Sequence, residues 1–168
     1  MRIRTTFCML ATLALSGAAF AQTPVRGVDD PESLFVDDDP TIHRNKQAAL
    51  HIMRELLQCG QWERSGEWLT DRYIQHNPNA ADGREAVVRF FTEVLRQPRT
   101  ENCGKLTTPV TKVVAEDDIV VVMIAREYDD PRRPGQKYST TWFDAWRFVD
   151  GKADEHWDPA TIAPPQGN

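Results

Sequence analysis

The chain has 168 residues, 40% of them apolar and 27% charged, which suits one domain with a buried core. Its 20 basic residues stand against 25 acidic ones, so no basic face is left for a phosphate backbone and nucleic acid is excluded as a partner class. The longest apolar stretch, Phe7 to Leu15, is about half of the ~20 residues that span a bilayer, which excludes an integral membrane protein.

At the N-terminus, Arg2 and Arg4 precede the apolar run, and Ala19-Phe20-Ala21 follows it as a small-x-small site. That order is the one a secretory signal peptide requires, and residues 1–21 are assigned to it. Cleavage would leave 18 basic against 25 acidic residues and a periplasmic or secreted protein with a net charge of −7. It would also remove Cys8 and leave Cys59 and Cys103, for which a disulfide is the expectation in an oxidising compartment. The alternative is two separate buried thiols.

Residues 22–39 carry Pro24, Gly27, Pro31 and several aspartates with little periodicity and read as an extended arm. Asp39-Pro40 is an N-cap followed by proline at the first helical position, and Ala49, Met53, Leu56 and Leu57 then recur on one face until Gly60. His51 falls on the opposite face and is expected in solvent. A shorter helix is expected from Glu63 to Leu69. Asp82 and Glu85 form an Asp-x-x-Glu capping box, Val87, Phe90, Phe91 and Val94 line a third helix, and Pro98 stops it.

Beyond Pro98 the period changes. Lys112 to Ala115, Ile119 to Tyr128 and Tyr138 to Val149 are rich in β-branched and aromatic residues, with turn signals at Asp117-Asp118 and Asp150-Gly151. Helices followed by strands predict an α+β fold with an antiparallel sheet. Residues 129–136 read as a long exposed hairpin loop, and 163–168 as a tail beyond a domain spanning 40–162.

Three stretches could carry chemistry. Alternation from Tyr138 to Phe148 places Trp142, Asp144, Trp146 and Phe148 on one face. A carboxylate in aromatic surroundings is disfavoured in its charged form, which suits general acid or base work; the alternative is an ion pair with an arginine. On the next strand His156 and Asp158 share one face, Glu155 and Trp157 the other. His-x-Asp could bind a metal, but no HExxH motif or cysteine cluster supplies further ligands, so no metal or cofactor is expected. In Tyr73-Ile74-Gln75-His76-Asn77-Pro78, a phenol, an imidazole and an amide lie close together at a supposed helix-to-loop junction, where they could converge on a polar ligand atom. The alternative for His76 is a buried ring satisfied by backbone.

The Tyr-Ile-Gln-His-Asn-Pro string at 73–78, the glycine-started helix at 83–91, Asp144-Ala145-Trp146-Arg147, Asp150-Gly151-Lys152 and Glu155-His156-Trp157-Asp158 together resemble the SnoaL-like branch of the nuclear transport factor 2-like superfamily, over residues 45–160. The resemblance implies a cone, a curved antiparallel sheet wrapped around three helices with a pocket between them, and a homodimer. It implies acid–base chemistry without a cofactor on a small apolar carbonyl substrate, such as isomerisation, aldol condensation or dehydration, or else a ligand-binding module with no turnover. Tyr73, His76, Asn77, Asp144, His156, Trp157 and Asp158 match the family's recurring residues. Asp144, His76 and His156 become the expected acid–base groups, and Tyr73, Asn77, Trp142, Trp157 and Asp158 the expected substrate contacts. The chain departs from the pattern at Trp146, Ala153 and Asp154, so substrate identity does not carry over.

Overall fold

The computed structural model describes residues 22–162; the expected signal peptide, 1–21, and the tail, 163–168, lie outside the described residues. Helix α1 spans Pro40–His51 and continues without a break as a π-helical segment, Ile52–Gln58. Asp39 caps it as expected, its carboxylate accepting from the Thr41 and Ile42 amides at 2.8 and 3.0 Å. At the other end Gly60 adopts φ +65°, and a Cβ there would come within 2.5 Å of the Pro98 carbonyl oxygen. Glycine is therefore required both to end the helix and to let the 98–100 segment pass.

His51 is not free in solvent. Its ring stacks on Trp68 with centroids 4.1 Å apart, and its Nδ1 lies 2.7 Å from the Glu55 carboxylate, which also accepts from the Trp68 indole N–H. The second helix is shorter than expected: a 3-10 turn, Trp62–Arg64, leads into α2, Ser65–Trp68, and Leu69 already begins a strand. The third, α3, spans Arg84–Arg89 and continues as a π-helical segment, Phe90–Val94. The expected capping box does not form. Gly83 occupies the cap with φ +95°, and the Asp82 carboxylate instead accepts from the Gln75 amide at 2.8 Å. Val94 is 70% exposed, so the apolar face of this helix is carried by Val87, Phe90 and Phe91.

Five strands form one sheet in the order β1-β5-β4-β3-β2: β1 Leu69–Gln75, β2 Val110–Glu116, β3 Ile119–Asp129, β4 Lys137–Val149 and β5 Lys152–Trp157. The last four are antiparallel, as their turn-separated β-branched runs predict. Asp150 and Gly151, at φ 50° and 79°, make the tight turn between β4 and β5. The unanticipated strand is β1, which pairs in parallel with β5 and makes the sheet mixed. The Tyr73 stretch is thus a strand, not a helix-to-loop junction, and the residues along it alternate between two faces.

The core lies between the helices and the concave face of the sheet, around Leu56, Leu69, Val120, Val122 and Trp146. The arm belongs to it. Phe35, in a 3-10 turn at Pro31–Phe35, is fully buried, and Val28 donates its amide to the Val110 carbonyl at 2.9 Å. Cys59 and Cys103 form the expected disulfide, with Cα atoms 5.8 Å apart, joining the end of the first helix to the loop that leads into β2. Among the described residues no helix is long and apolar enough to cross a membrane.

Candidate active site

A cavity of about 780 Å³ opens between the sheet and the helices. Its walls are mostly apolar. The π-helical segments supply Ile52, Met53, Leu56, Phe90 and Phe91, and the sheet supplies Leu69, Ile124, Trp142 and Trp146. A volume in this range with few polar groups is typical of a small-molecule site.

The innermost of those polar groups come from three adjacent strands, β1, β5 and β4. Alternation along β4 turns Asp144 inward between Trp142 and Trp146, and Asp144 is 7% exposed. The β4–β5 pairing sets Trp146 opposite His156, so His156 lies on the same face. Parallel pairing sets Gln75 opposite His156 from the other side.

Hydrogen bonds assign the His156 tautomer. The Gln75 side-chain oxygen accepts from the Asn77 amide at 3.2 Å, which identifies that atom as the oxygen. His156 Nδ1 lies 2.6 Å from the same oxygen and must therefore carry a proton. His156 Nε2 then faces Asp144 Oδ1 at 3.3 Å, and the Trp142 indole N–H donates to that oxygen at 3.2 Å. A bare nitrogen lone pair against a carboxylate oxygen would repel it. A proton taken up from the cavity by either atom would turn the contact into a hydrogen bond.

Tyr73 completes this face. Its Oη accepts from the Trp146 indole N–H at 3.0 Å, and burial pushes the phenol well above its ordinary range, so it stays neutral with its own proton left to donate. The departure from the family pattern at Trp146 has a use here, since phenylalanine could not make this bond. Asp158 also faces the cavity, held by the Asn77 side-chain amide at 2.8 Å and the Ala160 amide at 2.9 Å. Asn77 is committed at both ends, its oxygen accepting from the Asn79 backbone and side-chain N–H groups. It orients Asp158. Asp144, His156 and Asp158 each offer a donor atom within 4.8 Å of the other two, a third ligand beyond the His-x-Asp pair and the donor set that could hold a divalent ion.

Of the expected residues, the cavity brings together Tyr73, Asn77, Trp142, Asp144, His156 and Asp158. His76 and Trp157 are placed elsewhere. Because residues 73–77 alternate along an extended edge, Tyr73, Gln75 and Asn77 point inward and His76 points out. Its ring stacks on Trp157 with centroids 5.2 Å apart, and its Nε2 lies 2.8 Å from Glu155 Oε1. Glu155 is held below the ordinary carboxylate range by His76 first and by Arg147 second. The departures at 153 and 154 fit this layout: Ala153 is buried, and Asp154 takes Arg72 and Arg147 on the outer face. Gln75 is the residue missed, and the signal for it was strand alternation within the string that contains it.

No curated protein matches the chain. Solved structures similar to it include a candidate SnoaL-like polyketide cyclase from Jannaschia sp. CCS1, 24% identical, covering 77% of this chain and 99% of that one at a TM-score of 0.49. A candidate polyketide cyclase from Acidithiobacillus ferrooxidans is 17% identical, with 68% and 86% covered at 0.49. An NTF2-like protein of unknown function from Burkholderia pseudomallei is 15% identical, with 70% and 91% covered at 0.48. The family model of the SnoaL-like domain matches residues 50–156, which contain α2, α3, nearly all of the sheet and the Asp144–His156 pair, and the chain belongs to that family.

Proposed function

We propose that this is an exported enzyme that moves a proton on a small, largely apolar carbonyl substrate without a cofactor. The observation that carries the reading is the Asp144–His156 contact, two buried groups 3.3 Å apart on the wall of an apolar cavity. In the imidazole and carboxylate forms, such a pair can accept a proton from carbon and return it at a second position. The neutral Tyr73 hydroxyl supplies a donor for the enolate oxygen as charge develops there. Asp158, oriented by Asn77, is the second carboxylate within reach. Export is supported by the order of residues 1–21 and by the Cys59–Cys103 bridge, which needs an oxidising compartment to persist. Pairing with a second copy is supported by apolar residues on the outer sheet face, where Val114 and Phe143 are 49% and 41% exposed.

The test is deuterium uptake by 2-tetralone and 2-indanone in D2O, followed by NMR with wild type and Asp144→Asn. Wild type is expected to accelerate exchange and the variant to lose about 10²–10⁴-fold of that acceleration. Binding of both ketones in the cavity with no acceleration over buffer would overturn the enzyme reading in favour of a ligand-binding module.

A further inference from the structure

We propose that the cavity's ligand carries an anionic group, held at the mouth by Arg126, at the end opposite the Asp144–His156 pair. This rests on the reading of that pair as the reacting end. Arg126 is on the inward-facing register of β3, following Val120, Val122 and Ile124, which are all buried, and it is the first residue of that row to reach solvent. Its guanidinium sits over the Trp142 ring, 5.5 Å from the centroid. No carboxylate among the described residues pairs with it, whereas Glu127 beside it on the rim is paired with Lys137. A cation stacked on an aromatic plane keeps its in-plane N–H groups available for an oxyanion.

The cavity is polarised as a result. Arg126 is the one arginine or lysine among its lining residues, and Asp144 and Asp158 are its inner carboxylates. An anion placed deep would meet those two carboxylates, and placed at the mouth it meets the guanidinium, so electrostatics alone set the ligand's direction. Trp142 links the two ends, with its face under Arg126 and its N–H on Asp144.

The spacing limits the class of ligand. Arg126 is registered with Thr140, four residues along β4 from Asp144, a backbone separation of about 13 Å at ~3.3 Å per residue, and the Trp142 indole lies between the two side chains. Acetate, pyruvate and other acids with adjacent carboxylate and carbonyl groups are shorter than the indole that separates the two ends. A fused-ring or aryl keto acid can reach both ends, and the apolar walls between the ends fit its rings.

Two probes of nearly the same shape test the proposal. 8-Anilinonaphthalene-1-sulfonate carries the anion, and N-phenyl-1-naphthylamine lacks it. Fluorescence titration of the full exported chain at ~0.15 M salt, where surface electrostatics are partly screened, is expected to give one competitive site for both, with the sulfonate bound more tightly. Arg126→Gln should weaken the sulfonate about 5-fold, the upper end for an exposed ion pair, and leave the neutral probe within about 2-fold. Arg126→Lys should restore part of the loss. Unchanged binding of the sulfonate by Arg126→Gln, equal weakening of both probes, or the absence of a shared 1:1 site would each overturn the proposal. Retained binding of the neutral probe also shows that the variant folds. Neither probe is turned over, so a failure of the proton-transfer reading, seen as no deuterium exchange, is recorded separately from a failure here.

Discussion

The edge of the sheet formed by β1, β5 and β4 carries a histidine–carboxylate pair on each face. Inside, His156 meets Asp144 at 3.3 Å with both side chains at most a tenth exposed; outside, His76 meets Glu155 at 2.8 Å with the histidine side chain 45% exposed. The outer pair is the shorter and looks the better bond. Its surroundings make it the less consequential one. Water screens it, Arg147 already shares Glu155, and nothing beside it could exclude solvent from a reacting atom. Among the described residues the inner pair has no guanidinium partner; it sits against Trp142 and Trp146 and faces the cavity. An imidazole and a carboxylate give an exposed contact on one face and a buried, cavity-lining one on the other, and the difference that matters lies in dielectric and access rather than in the groups themselves.

The sharpest way to break this comparison is to remove each histidine in turn. His156→Gln should cost about 10²–10⁴-fold in deuterium exchange into a ketone, and His76→Gln no more than about 2-fold. Equal losses would mean that the outer pair takes part. Next in size is Tyr73→Phe. Trp146 is 1% exposed, and its indole N–H would lose its acceptor, at a cost of about 1–3 kcal/mol read in urea unfolding. A change below ~0.5 kcal/mol would show that the inner face tolerates unsatisfied groups better than its burial implies.

The third prediction concerns the outer face. Arg72 first, and Thr70 with it, hold the Asp154 carboxyl at about 2 against the opposing effect of burial. Because this lies below the unfolded value, the unfolded chain binds the proton more readily, and the stabilisation is complete above about pH 4–5 and lost as pH falls toward 2. It amounts to about 1–2 kcal/mol once screening at the exposed Arg72 is allowed for. The stability difference between wild type and Asp154→Asn should therefore shrink across that window. A difference independent of pH would assign the effect to packing.

Much of the layout was legible. Runs of β-branched and aromatic residues with period two announced β2 to β4, and the same alternation put Asp144 with Trp142 and Trp146, and His156 with Asp158. What escaped was β1. Its two buried positions, Leu69 and Tyr73, are four apart, a spacing that a helix also produces, and the residues between them are polar. Without that strand nothing separates Gln75 from His76, and the imidazole attracts the attention that the amide should have received. The Asp82 cap failed for a related reason: its carboxylate is held by the Gln75 amide at the end of the unseen strand. Phe35 escaped because the burial of one aromatic in a polar arm is a tertiary fact with no local period. The widened turns of the π-helical segments that wall the cavity leave no mark on the apolar pattern.

The smallest expected effect is the stability of His76→Gln. Exposed ion pairs contribute about 0.2–1 kcal/mol, and here the carboxylate keeps Arg147 when the imidazole is gone, so no charge is stranded. Glutamine can still donate to Glu155 Oε1, and the stacking on Trp157 is the part that cannot be replaced. The change should stay below about 1 kcal/mol, a shift in melting temperature of a few degrees at most. Raising the salt concentration should shrink it further if charge carries it and leave it alone if stacking does. A loss of several kcal/mol would place the outer pair on the same footing as the inner one, and would mean that the parallel junction of β1 and β5 depends on His76 to hold Gln75 against His156.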